Sequence, residues 1–176
     1  MKTIYLLLIA LLATACDGDD APIDQESLLP PITMTGENTF GCLIDGKYFR
    51  PRDGRATINS DNKGLKVFQT ESTNWEIHVF DRKSDKTGSL YIHIENIFLN
   101  SIGSYNIEQA DGLRGLDGPN NTYIYGRFWN EELNNYANYH SVFDSGTIEI
   151  TQENHNPGNF YIISGIFSLV DLLSVR

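Results

Sequence analysis

Phe40-Gly41-Cys42-Leu43-Ile44-Asp45-Gly46-Lys47-Tyr48-Phe49-Arg50 reads as two short strands around a two-residue turn. An Asp-Gly pair tolerates the positive φ angles of a type I′ turn, whose twist matches that of the strands on either side. A two-residue loop sets Leu43 opposite Tyr48 and Cys42 opposite Phe49, which pairs apolar residues on both faces.

Downstream of this hairpin the β signal continues. Leu65 to Gln69 is β-compatible. Trp75, Ile77 and Val79 alternate with Glu76 and His78, and Leu90, Ile92 and Ile94 repeat the pattern after the charged loop Asp81 to Thr87. Alternation of this kind marks strands with one apolar and one polar face. Tyr105 with Ile107, Tyr123 to Phe128, Thr147 to Thr151 and Phe160 to Phe167 complete the series. The four asparagines of Asn130 to Tyr139 compete with helix hydrogen bonding, so that segment reads as a loop or a single turn. Short strands with Gly and Asn turns and no crossover helices predict an all-β, antiparallel domain, either a sandwich or a barrel. It occupies 39–168, about 130 residues, enough for one core.

Upstream, Lys2, the apolar run Ile4 to Leu12 and the small residues Ala13-Thr14-Ala15 before Cys16 have the layout of a secretory signal peptide over 1–15. The run is far shorter than the ~20 residues needed to span a bilayer. A cysteine directly after the small residues predicts a lipid on Cys16. Two or three long chains, at about 0.8 kcal/mol per buried methylene, then hold the protein on the membrane. The alternative is an ordinary secreted protein cut after Ala15. Residues 16–38 follow as a flexible, disordered tether, acidic at Asp17, Asp19, Asp20, Asp24 and Glu26 and interrupted by Pro22, Pro30 and Pro31; the alternative is that its end, Leu28-Leu29, packs on the domain. With Cys16 lipidated, Cys42 has no partner for an internal disulfide and reads as a small buried apolar residue.

The signal peptide, the Pro-rich tether and the Asn38-Thr39-Phe40-Gly41-Cys42-Leu43 opening together resemble uncharacterised lipoproteins of the Bacteroidota. Gly103-Ser104-Tyr105-Asn106-Ile107, Gly146-Thr147-Ile148-Glu149-Ile150-Thr151 and Ile163-Ser164-Gly165-Ile166-Phe167 fit the same pattern. The resemblance implies an outer-membrane lipoprotein with an all-β domain of unknown function, and it brings no catalytic residues. In such bacteria an acidic run after the lipidated cysteine marks export to the cell surface, which Asp17, Asp19 and Asp20 match; a solvated tether is the alternative. The last residues, 169–176, form an apolar tail with little alternation. They read as poor strand material that leaves an edge uncovered, and as a truncated or frameshifted end, a shorter native sheet being the alternative.

Charge narrows the partners. The net charge is -10, and loss of residues 1–15 removes Lys2 and no acid, giving -11. So acidic a surface repels phosphate backbones, so nucleic acid is excluded as a partner, and membrane contact is expected through the Cys16 lipid alone.

No residue pattern supports catalysis, and no cofactor or metal is expected. Glu76, His78 and His93 share the polar face of two neighbouring strands. A metal-binding trio there weighs less than plain surface histidines, because two-residue spacing arises easily. Asp111 to Gly118 lacks the acid spacing of a calcium loop and reads as a surface loop. His140 and His155 stand alone, and Ser141 and Ser145 near His140 lack the strained nucleophile turn and third partner of a triad.

Aromatic content is more informative: nine Tyr, nine Phe and two Trp. Tyr123, Tyr125, Arg127 and Trp129 fall on one face of one strand, with Tyr136 and Tyr139 close behind. Such a face either stacks on sugars and apolar partners or forms the buried side of a sandwich. The sequence thus predicts a non-enzymatic binding module, its ligand a glycan or an envelope protein. A structural or accessory subunit of an envelope assembly is the alternative. A hydrolase using a carboxylate such as Glu76 or Glu95 ranks below both.

Overall fold

A computed structural model describes residues 23–33, 37–58, 62–70, 73–100, 102–111, 121–156, 160–170 and 172–175. The signal peptide and Cys16 lie outside the described residues. No described helix is long and apolar enough to cross a membrane.

The Asp-Gly hairpin forms as its chemistry requires. Strands β1 (Cys42–Ile44) and β2 (Lys47–Phe49) pair with Cys42 opposite Phe49 and Leu43 opposite Tyr48. Asp45 and Gly46 take φ angles of 50° and 72°, the left-handed geometry of a type I′ turn.

Nine further strands follow: β3 (Leu65–Thr70), β4 (Asn74–Asp81), β5 (Gly88–Ile94), β6 (Gly103–Ile107), β7 (Tyr123–Asn130), β8 (Asn135–Ser141), β9 (Gly146–Asn156), β10 (Phe160–Leu169) and β11 (Leu172–Val175). They build a six-stranded sheet in the order β11-β8-β7-β5-β4-β3 and a three-stranded sheet in the order β10-β9-β6. Every strand pairing is antiparallel. The protein is all-β and sandwich-like.

The inner faces hold the apolar half of each alternation. Val79, Ile94 and Ile124 of the large sheet and Ile107, Ile148 and Ile150 of the small one are buried in one cluster. Removing each such side chain from water contributes roughly 1.5–3 kcal/mol. The crossing from β5 to β6 is made by a one-turn helix, α1 (Ile97–Asn100), unannounced in the sequence. Ile97 plugs it into the core, and Phe98 packs edge-on against Trp75 at 5.4 Å. After β6 the chain is stitched back to the large sheet by Ser141. Its buried hydroxyl donates to the Glu108 carbonyl (2.7 Å) and accepts from the Ile124 amide (3.0 Å).

Three expectations need correction. Asn130 to Tyr139 is no loop: β7 runs to Asn130, Glu131 to Asn134 make the turn, and β8 begins at Asn135. The asparagines serve the turn, where Asn134 takes φ 45° and Asn130 Oδ1 accepts from the Leu133 amide. The C-terminal tail is not poor strand material either, since Leu172–Val175 pairs with Asn138–Ser141 and covers the β8 edge. Backbone pairing to a pre-formed neighbour overrides weak alternation.

The tether, finally, is structured over 23–33. A single 3-10 turn at Glu26–Leu28 leads into Leu29 to Thr33, and the segment lies on the domain. The Tyr48 amide donates to Gln25 Oε1 at 3.0 Å, and the Ser164 hydroxyl donates to the Thr33 carbonyl. Gly41 accommodates the Pro30 ring: a β-carbon there would sit 2.6 Å from Pro30 Cδ.

Candidate ligand-binding cleft

Two stacked sheets bury their facing side chains when they pack about 10 Å apart. Here the inner faces are incompletely covered. Ile77 and Phe128 of the large sheet, Ile163 and Phe167 of the small one, and Phe49 of the hairpin all point inward yet are only half-buried. Between them lies a cleft of about 1520 Å³, far larger than the water-sized voids of ordinary interiors. Leu65, Ile77 and Ile92 form one wall, Ile150 and Ile163 the other, and Trp75 and Cys42 also line it.

Its polarity is graded. The walls offer aliphatic and aromatic surface, while Lys47, Lys86, Glu131 and Glu132 stand at the rim beside the hairpin and the β7–β8 turn. Lys86 is held there by both Glu131 carboxylate oxygens, at 2.7 and 2.8 Å. Leu29, Pro30 and Ile32 of the docked N-terminal segment line another part of the mouth. Cys42, the free thiol at the cleft, is buried as expected, and burial pushes its pKa up to about 12, so it is inert.

Of the aromatic-face residues singled out in the sequence, Tyr123, Tyr125 and Arg127 lie on the opposite, outer face of the large sheet, whereas Trp129 at the end of the same strand and Tyr139 of β8 also line the cleft. Tyr123, Tyr125, Arg127 and Trp129 do share one face of β7, but not as an open stacking surface. Tyr123 is 1 % exposed and Tyr125 4 %. Tyr123 stacks on His93 (4.9 Å, 12°), while Tyr125 packs against Tyr91 and His140 and donates to Asn138 Oδ1 at 2.9 Å. Arg127 is exposed over the Tyr136 ring, and Trp129 is half-buried between Tyr136 and the Lys86 ammonium. The four-residue platform is thereby reduced to its Arg127–Trp129 end.

Glu76, His78 and His93 are brought together, but they are not surface groups. Glu76 pairs across the strands with His93, and His78 with Tyr91. Glu76 and His93 are 2 % and 1 % exposed. His78 Nε2 approaches Glu76 Oε1 to 2.9 Å. Glu76 Oε2, both His93 ring nitrogens and the Tyr123 hydroxyl have no hydrogen-bond partner among the described residues. Burial lowers the His93 pKa, with Glu76 pulling the other way, and burial raises that of Tyr123. Among the described residues no group of three or more His, Cys, Asp or Glu side chains is arranged to hold a metal ion.

Elsewhere Glu95 lines a smaller hollow of about 410 Å³ with Glu108 and Asn121. Ser141 is spent on the backbone stitch, and Ser145 is buried. His140 packs on Tyr125. His155 occupies a β9 position opposite Tyr161. Of the loop Asp111 to Gly118, all but Asp111 lies outside the described residues.

Sequence reasoning missed the cleft residues as a site. Their alternation was legible and assigned them to a core; that the core is left open depends on the spacing of two sheets, which alternation does not encode. The chain matches no protein-family model, no curated protein and no solved structure.

Proposed function

We infer that this chain is a lipid-anchored protein of the bacterial cell envelope whose β domain is a non-enzymatic binding module, with its ligand held in the cleft between the sheets. The observation that carries the binding site is a large cleft whose inward apolar side chains remain half-exposed. Apolar surface left open on a folded domain marks a place where something docks. The anchor and the address rest on Lys2 to Cys16 and the acidic residues that follow. Burial of Tyr123 and Tyr125 shifts the ligand away from the aromatic face and into the cleft.

Two experiments test the two halves. Palmitate labelling with fractionation of wild type and Cys16→Ser predicts label and membrane recovery for wild type only; equal recovery of both in the soluble fraction overturns the anchor. An environment-sensitive apolar dye is expected to brighten on binding the full chain, and Val67→Arg to suppress this. Val67 is 49 % exposed on the cleft wall, so the substitution is tolerated by the fold. Its neighbour Phe68 points to the outer face, so Phe68→Arg leaves the dye signal intact. No dye binding, or equal loss in both variants, contradicts the site.

A further inference from the structure

We propose that the ligand of this cleft is a single-tailed or multi-tailed amphiphile, its straight hydrocarbon chain lying between the sheets and its polar head at the rim. The proposal rests on the cleft being the ligand site, and it adds the chemistry of what enters. Among the described residues, none of the buried polar atoms that lack a partner lines the cleft: those of Glu76, His93 and Tyr123 lie on the outer face of the large sheet. Along the walls made by Leu65, Ile77, Ile92, Ile150 and Ile163, a ligand's hydrogen-bonding groups would lose water with no polar side chain there to receive them, at a cost of roughly 1–3 kcal/mol each. A peptide strand, with two such groups per residue, is disfavoured most. A hydrocarbon chain carries none.

Size and layout point the same way. The volume exceeds the roughly 300–1,000 Å³ of sites for compact small molecules. Of the charged residues that line it, Glu37, Asp45, Lys47 and Glu132 are exposed, Lys86 and Glu131 form a pair, and buried Asp81 is paired with Arg52, so the head meets polar groups where the tail leaves the walls. The mouth is also bordered by the segment that runs back towards Cys16. From Leu29 to Cys16 is a short stretch of chain, reaching at most ~45 Å when extended at about 3.5 Å per residue. On the anchored reading, the cleft is therefore kept close to a bilayer, the most abundant source of such chains.

The test uses the full chain carrying Cys16→Ser, so that no lipid of its own is present, and Trp129→Phe, which leaves Trp75 as the sole tryptophan. Trp75 lines the cleft. Bromine-labelled fatty acids of increasing chain length are titrated and Trp75 quenching is followed. The expected result is saturable quenching whose affinity rises about fourfold per added methylene, until the chain fills the cleft. In Val67→Arg the affinity falls roughly tenfold or more, because a guanidinium is placed on the apolar wall. The apolar dye separates the two ways of failing. If the dye binds and is displaced by rigid polycyclic compounds but not by fatty acids, the cleft is a ligand site and the hydrocarbon-chain assignment is overturned. If neither dye nor fatty acid binds, the site itself is wrong.

Discussion

Glu76 lies where alternation assigns solvent, yet it is about as buried as Val79 on the other side of its strand. The sequence showed which residues share that face but not that rings from four neighbouring strands would close over it. Phe68, His78, Tyr91 and Tyr125 form a continuous run of ring contacts, and Tyr123 stacks on His93 beside them. One consequence is a pH response. The folded pKa of His93 is depressed by burial, so the unfolded chain takes up the proton first as the pH falls. Its contribution to stability is complete above the ordinary histidine value of about 6.5 and is lost as the pH falls towards the lower folded value. Melting curves between neutral and mildly acidic pH are expected to show a shallower loss in His93→Phe, which keeps the ring stack and removes the titration.

Asp81 gives a second, more acidic window. Desolvation alone would raise its pKa, but hydrogen bonds from the Arg52 guanidinium, the Ser84 hydroxyl and the amides of Lys83 and Ser84 hold the carboxyl well below its usual range. A depressed carboxylate contributes stability above its ordinary value of about 3.9, and that stability is lost as the pH falls through the lower folded value. Asp81→Asn is expected to cost about 2 kcal/mol at neutral pH, less than a fully buried pair because Arg52 is partly exposed, and to flatten the acid limb of the melting profile. Equal acid sensitivity in variant and wild type would contradict this.

At the level of elements, the features most legible in the sequence were those set by local chemistry. The Asp45-Gly46 turn fixed a register that needed no tertiary information, and the apolar alternation of β4 and β5 marked both strands. What escaped were elements held by partners distant in sequence. Residues 23–33 lie on the hairpin and β10, Leu172–Val175 on the β8 edge, and α1 on the core through Ile97. Gly41 links the local and distant levels, because the space above it is taken by the Pro30 ring. Gly41→Val is expected to lift the N-terminal segment, read as faster proteolytic cleavage within 23–33 while the β domain survives. Ending the chain after 171 removes β11 and opens the β8 edge, for which a lower melting temperature and more aggregation on concentration are expected.

On the scale of the whole molecule, class and pairing sense followed from the pattern, whereas the relation between the sheets did not. Two sheets with identical inner alternation can close on a filled core or stand open, and the difference lies in how the connections through α1, Ser141 and the Val142 to Ser145 turn set them against each other. The open arrangement makes the cleft, and the cleft carries the functional reading. Isoleucine side chains report on it throughout: Ile77, Ile92, Ile150 and Ile163 line it, while Ile102 is exposed and lies away from it. The most direct measurement is methyl NMR of the full chain carrying Cys16→Ser with isotope-labelled isoleucine, titrated with a soluble fatty acid. Shift changes concentrated at Ile77, Ile92, Ile150 and Ile163, with Ile102 unmoved, are predicted. Changes at Ile102 without movement of the four cleft methyls, or no change anywhere, would contradict it.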